Sequence, residues 1–208
     1  MTFYGVIRTI VVSLCSLAFR VTVVGRERVP PTGAYIVAPT HRSGFDVPFA
    51  SYITDRRIRF LAKEELFAPR FFDRLFTSLG AIRVERGAAD RGALRALELA
   101  LRDGEPVALF PEGTRGSGPE LSPLFDGAAY LAVKLGVPIV PVGIGGSEEI
   151  LRKGAKVPRL HRVAVVVGDP IAPPESNGRS RRSAAMAMTE QLGAELQRAF
   201  DEARRLSH

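Results

Sequence analysis

Apolar residues recur along this chain in two periods, one of two residues and one near 3.6, and the switches between them mark strands and helices. Short β-branched runs predict strands at 34–38 (A-Y-I-V-A), 57–62 (R-I-R-F-L-A), 81–84, 107–110, 139–144 (I-V-P-V-G-I) and 163–167 (V-A-V-V-V). The residues between several of these carry helical patterns. An aromatic-rich amphipathic stretch at 70–79 ends at Gly80, and a helix over 90–102 starts at a capping Asp90 and sets Leu94, Leu97 and Leu101 on one face. A third helix fits 125–135 before Gly136, and a fourth runs over 179–206 with Met188, Leu192, Leu196, Ala199 and Ala203 at helical spacing. Strands alternating with helices predict an α/β fold, a mixed and largely parallel sheet flanked by helices. Pro138 and Pro141 predict that the 139–144 strand lies at an edge or pairs irregularly, since proline has no N–H for a ladder. No internal repeat is visible, and 170–178 is the only linker-like stretch.

Ahead of the first of these strands, residues 6–25 are strongly apolar but broken by Arg8 and Arg20. The uninterrupted run, 9–19, has 11 residues, whereas a spanning helix needs about 20. A secretory signal is a poor match, because the first residues carry no basic cluster and no small-residue cleavage site follows. Two readings remain: a helix packed on the domain as an ordinary core element, or one lying in a membrane interface with its arginines at the headgroups. The organisation expected is an N-terminal segment, 1–24, followed by a single domain, 25–208.

Composition narrows the classes. A chain of 208 residues has the size of one domain, and 46% hydrophobic with 25% charged residues excludes a disordered or collagen-like polypeptide. The formal charge of +7 favours anionic partners: membrane surfaces, phosphorylated metabolites or nucleic acid. Arg outnumbers Lys 25 to 4, which suits bidentate phosphate contacts, although a GC-rich genome produces the same bias. The lone Cys15 excludes an intrachain disulfide, and no Cys/His cluster has zinc spacing, so no metal site is expected.

Chemistry is expected where polar residues follow strand ends. The first such place is 39–48, P-T-H-R-S-G-F-D-V-P, with His41 and Asp46. On a regular helix these would diverge by about 140°, so they meet only if a turn at Ser43-Gly44 folds the segment back. They form either a dyad, with Asp46 holding one imidazole nitrogen protonated and the other free to take a proton, or a helix cap at Asp46 beside an ordinary loop histidine. The second place is 110–116, F-P-E-G-T-R-G. There Gly113 lets a phosphate approach the backbone, Arg115 can bind it, and Glu112 can orient that arginine or an acceptor hydroxyl. The third is 82–86, I-R-V-E-R, which alone reads as a solvated strand end.

In this order and spacing the three places resemble the glycerolipid acyltransferase family, typified by 1-acyl-glycerol-3-phosphate acyltransferases. The family's first block, a His and an Asp with four residues between them, matches His41 to Asp46. Its phosphate-binding block matches 80–86, its F-P-E-G-T-R block stands verbatim at 110–115, and its V-P-I-V-P-V block stands at 137–142. The resemblance covers about residues 25–170. It implies transfer of a fatty acyl group from acyl-CoA or acyl carrier protein, a co-substrate, to the free hydroxyl of 1-acyl-glycerol-3-phosphate, giving phosphatidic acid for phospholipid biosynthesis. No cofactor, metal or covalent acyl-enzyme is implied. His41 is then the general base, oriented by Asp46. Arg86 and Arg115 hold the acceptor phosphate, while Glu112, Gly113 and Thr114 shape the substrate-binding site.

Three positions depart from the family's pattern. Thr40 stands where Asn is usual, Glu85 replaces the commoner Asp, and the Lys-bearing F-K-x-G segment appears as L-F-D-G at 124–127. Asp126 would repel a phosphate. A sister acyltransferase acting on glycerol-3-phosphate, another lysophospholipid or a glycolipid is the alternative, with a non-catalytic lipid-binding adaptor as the rival class. The lipid acceptor implies a peripheral or monotopic protein on the cytoplasmic face of the cell membrane. Lys63 and the arginines at 56, 57 and 59 would then face anionic headgroups, each contributing about 1 kcal/mol. A serine hydrolase is disfavoured because no G-x-S-x-G is present and Gly145-Gly146-Ser147 lacks that motif's context. No phosphate loop supports a nucleotide-binding protein, and acids interspersed with bases do not suit nucleic acid.

Overall fold

The structure, a computed structural model, describes residues 3–68, 70–84, 91–151, 157–174 and 180–208. Among these, the strands are β1 (Thr22–Val24), β2 (Ile36–Pro39), β3 (Arg59–Lys63), β4 (Ala81–Val84), β5 (Val107–Ala108), β6 (Ile139–Gly145) and β7 (Ala164–Val167). The helices are α1 (Phe3–Phe19), α2 (Asp46–Ala50), α3 (Arg70–Ser78), α4 (Arg91–Arg102), α5 (Gly127–Leu135), α6 (Ser147–Ile150) and α7 (Arg181–Ser207). The strands form one sheet in the order β1-β7-β6-β2-β5-β3-β4. All neighbours are parallel except β6 and β7. The expected mixed, largely parallel α/β architecture is therefore what these residues build.

Alternation along the strands supplies the two faces of the sheet. Val37, Val140, Val142, Val165 and Val167 share a cluster with Phe49 and Ile53 from the α2 region, and α1 packs on the same cluster through Val12, Cys15 and Ala18. Ile36, Ala38, Val107 and Ile139 share another with Leu97 of α4, Leu131 of α5, and Met188, Leu192 and Leu196 of α7. Helix α7 lies very close to β6. A Cβ at Gly143 or Gly145 would sit 2.3 Å from the backbone of Ala199 or Ala203, so only glycine admits the helix there.

Several details differ from the sequence reading. β6 lies inside the sheet, paired on both sides, so the edge placement suggested by its prolines is corrected; the irregular pairing is present. Ile139 bridges Ile171, while the β7 ladder begins only at the pair Val142 and Val167. Pro141 sits in the gap between them, where its carbonyl accepts from Gly168 at 2.9 Å and no N–H is called for. The strand expected over 107–110 stops at Ala108, because Leu109 makes one more bond to Val37 and the chain then turns from Phe110 to Gly113. α7 begins at Arg181 behind Ser180, whose side chain accepts from the Ser183 amide. The expected cap Asp90 lies outside the described residues.

Residues 1–24, expected as a separate segment, contribute β1 to the sheet and Phe19 to the core. Arg8, one of the two charges that interrupt the apolar run, fastens α1 down. Its guanidinium donates to the carbonyls of Ser51 at 3.1 Å and Thr54 at 2.7 Å and pairs with Asp55 at 2.9 Å. Tyr52 adds an O–H bond to the Val12 carbonyl at 2.6 Å. The outer face of α1 carries an exposed stripe, Val6, Ile10, Leu14 and Leu17, the last 83% exposed. Among the described residues no helix is long and apolar enough to cross a membrane. The arginines at 56, 57 and 59 sit at the start of β3 and bond inward. Arg56 donates to Gly33 and Gly104, while Arg57 and Arg59 pair with Glu105.

Candidate active site

Parallel strands direct their C-terminal ends to one edge of a sheet, and the loops that follow them are where an α/β fold gathers polar groups. Here β2 is followed by Thr40 to Asp46, and β5 by Phe110 to Gly116. The chain after Pro39 does fold back at Ser43 and Gly44: the Asp46 amide bonds to the Ser43 carbonyl, and α2 starts at Asp46. This return brings Asp46 Oδ2 to 3.0 Å from His41 Nδ1. The same oxygen accepts from the amides of Arg42 and Ser43, each at 2.6 Å. Asp46 is thus not a cap for its own helix, since no side-chain capping bond forms there; it is the hub of the loop.

The consequence for His41 is a defined tautomer. A carboxylate only accepts, so Nδ1 carries the proton and Nε2 is left as an acceptor. The ring is stacked against Phe110 with centroids 4.2 Å apart, and its side chain keeps 22% of its surface exposed while that of Asp46 keeps none. One edge of the imidazole is anchored and the other is reachable.

The F-P-E-G-T-R segment lies directly beside this ring. The Gly116 amide donates to the His41 carbonyl at 2.8 Å, which ties the end of the segment to the histidine's own peptide. Gly113, Thr114 and Arg115 are exposed. Gly113 has φ +67°, and a Cβ there would meet the Phe125 ring at 2.7 Å, so the position needs glycine both for its backbone and for its neighbour. Glu112, by contrast, points inward and is 1% exposed. Its Oε1 accepts from the His41 amide at 3.0 Å, and its Oε2 from Arg42 at 2.7 Å and the Ser122 amide at 3.0 Å. Sequence reasoning expected this carboxylate to face Arg115 or an acceptor hydroxyl; it faces the His41 and Ser122 amides and Arg42 instead.

Arg86 and Glu85 lie outside the described residues; β4 is described to Val84. Sequence reasoning gave no part to Arg42, whose guanidinium is buried against Glu112. The signal was available, since a cation immediately after His41 and an anion in the other chemical loop form a complementary pair. Thr40 was flagged only as a departure. It is fully buried, and its hydroxyl accepts from the Ile144 amide at 2.9 Å. Asp126 is exposed, one residue from the Phe125 ring that covers Gly113. Among the described residues no group of three or more His, Cys, Asp or Glu is placed to hold a metal ion. In chemical terms the site offers a fixed imidazole acceptor beside a loop that carries one exposed arginine, Arg115. It suits proton removal from a hydroxyl next to an anionic group.

Comparison with known proteins identifies the family and a similar fold. The model of a family described as Acyltransferase matches residues 20–145. A 1-acyl-sn-glycerol-3-phosphate acyltransferase of Bacillus subtilis is 28% identical over 86% of this chain and 87% of its own length. One from Chlamydomonas reinhardtii is 27% identical over 86% of this chain, which spans 54% of that longer protein. The crystal structure of the 1-acyl-sn-glycerophosphate acyltransferase PlsC from Thermotoga maritima is similar with a TM-score of 0.71 and 26% identity, over 91% of this chain and 78% of that one.

Proposed function

Because the chain belongs to the acyltransferase family, we propose that it transfers a fatty acyl group from an acyl thioester to the free hydroxyl of 1-acyl-glycerol-3-phosphate, giving phosphatidic acid. The observation that carries the reading is the 3.0 Å contact between His41 Nδ1 and the buried Asp46 carboxylate, with the other ring edge open.

In this mechanism the acceptor hydroxyl donates its proton to His41 Nε2 as its oxygen attacks the thioester carbonyl. The imidazolium that forms is stabilised by Asp46, whose charge is already held by two loop amides. Collapse of the tetrahedral intermediate breaks the C–S bond, and the departing thiolate takes the proton back from Nε2, so no acyl group is left on the protein. Arg115, exposed on the loop beside the His41 ring, meets the acceptor phosphate, and Arg86 is assigned the same task. The donor is acyl-CoA or an acyl carrier protein. The exposed stripe of α1 rests on the cytoplasmic face of the membrane that supplies the acceptor. The exposed Asp126 supports a second reading, a sister enzyme whose acceptor carries less negative charge near that residue.

Thiol release from palmitoyl-CoA decides between them, measured with lysophosphatidic acid, glycerol-3-phosphate and lysophosphatidylcholine as acceptors. Release that depends on lysophosphatidic acid and falls by about 10²–10⁴-fold in His41→Ala is the expected result. Preference for another acceptor moves the assignment to the sister enzyme, and turnover undiminished in His41→Ala removes the histidine mechanism.

A further inference from the structure

The buried contact between Arg42 and Glu112 is not used in the mechanism above, yet it is the most enclosed charge pair in the site. The two groups are 2.7 Å apart, with side-chain exposures of 1% and 0%. Both oxygens of Glu112 are engaged within the protein, one by the His41 amide and the other by Arg42 and the Ser122 amide. Arg42 is engaged through its two terminal nitrogens, Nη1 on Glu112 and Nη2 elsewhere, while its buried Nε has no partner among the described residues. Its Nη2 donates to the Glu120 carbonyl at 2.8 Å, and its guanidinium lies over the Phe200 ring at 4.8 Å. Gly116 makes room for it: a Cβ there would be 1.9 Å from Nη1.

Such a pair cannot present a charge to substrate without leaving its enclosure. Its effect falls instead on the peptide of His41. Glu112 holds the His41 N–H, the Gly116 amide holds the His41 carbonyl at 2.8 Å, and Asp46 holds the imidazole. The backbone of the base is therefore referenced to the same loop, 112–116, that carries Gly113, Thr114 and Arg115. We propose that Arg42 and Glu112 are positioning residues which set the placement of His41 Nε2 relative to the acceptor bound at 113–115, and that Glu112 is not a substrate ligand. The assignment rests on the acyl-transfer reading, and it makes a different claim about Glu112 from a substrate contact. A misplacement of about 1 Å between reacting groups lowers turnover by roughly 100-fold without weakening binding.

The full chain is assayed with palmitoyl-CoA and lysophosphatidic acid as Glu112→Gln, Arg42→Lys and, for contrast, Arg115→Gln. The expected result is a kcat lowered about 100-fold in Glu112→Gln, with KM for the acceptor unchanged. Arg42→Lys, which keeps the charge, recovers part of the loss, and Arg115→Gln raises KM instead. A raised acceptor KM with kcat retained in Glu112→Gln makes Glu112 a substrate ligand and overturns the proposal. A second readout does not need turnover. The chain has 3 histidines, so the Hε1 proton resonance of His41 is readily followed; it should move in Glu112→Gln while those of His161 and His208 stay in place. An unmoved resonance overturns the positioning role. If Glu112→Gln does not fold, the double variant Arg42→Met with Glu112→Met removes both charges together. It should fold with kcat lowered as far as in Arg42→Met alone, and additive losses overturn the pairing. A wild-type chain inert toward lysophosphatidic acid, glycerol-3-phosphate and lysophosphatidylcholine alike defeats the acyl-transfer reading, and the resonance experiment still judges the positioning claim.

Discussion

Thr40 does with a hydroxyl what a sheet normally does with a carbonyl. β2 and β6 pair through Pro39 and Val142, and as β2 leaves the sheet the next amide of β6 that needs a partner, Ile144, finds Thr40 Oγ1 at 2.9 Å. Replacing Thr40 by Val keeps the shape and leaves a buried N–H unpaired, which should cost about 1–3 kcal/mol. Thr40→Ser should cost far less. Urea titration of both variants checks this, and a wild-type midpoint for Thr40→Val would show that the bond contributes nothing. At this scale the sequence was informative about which residues come together and less so about where they point. His41 and Asp46 were legible because their spacing, with Gly44 between, permits a return of the chain. Glu112 was legible as chemistry, but the choice between facing solvent and facing Arg42 is made by the packing of two loops far apart in sequence, which no local pattern records.

Between elements, the clearest polar link is at Glu98, which joins α4 to α5. It accepts from Lys134 at 2.7 Å and from Arg102 of its own helix at 2.9 Å. The Lys134 bond, followed by that of Arg102, holds the Glu98 carboxyl below the usual glutamate range. A carboxyl whose folded-state value is depressed contributes stability in full above its unfolded-state value and loses it as pH falls through the folded one. Glu98→Gln should therefore be less stable than the wild type at neutral pH, and the gap in urea midpoint should close as pH drops below the ordinary glutamate value. A gap that persists in acid would mean the loss is one of packing. Continuous β-branched runs such as 163–167 were read correctly as strands. β1 was not, because three residues at the end of an apolar run have no period that separates strand from helix. β6 misled in part because proline's missing N–H fell where the neighbouring strand is itself interrupted.

For the molecule as a whole, several of the basic residues singled out in the sequence are engaged within the fold. The arginines at 56, 57 and 59, expected at a membrane, are bonded to Gly33, Gly104 and Glu105. An exposed apolar stripe that would suit a lipid phase is formed by Ile10, Leu14 and Leu17 on α1. Burying a leucine side chain contributes about 1.5–3 kcal/mol, so Leu14→Glu with Leu17→Glu should lower binding to phosphatidylglycerol vesicles by at least about tenfold. The fold should persist, since both side chains point away from the core. Removing residues 1–24 is the poorer experiment, for it also takes away Phe19 and β1. Undiminished co-sedimentation of the double variant with vesicles would rule α1 out as the contact.

The ring of Phe200 behind Arg42 carries a consequence for the life of the chain in the cell. His41, Asp46 and Glu112 are all synthesised well before it, yet the wall against which their loop is braced belongs to α7. A ribosome must have moved past that helix before the brace exists. Nascent chains that already carry His41, Asp46 and Glu112 therefore hold Arg42 with nothing behind it until the last helix is made.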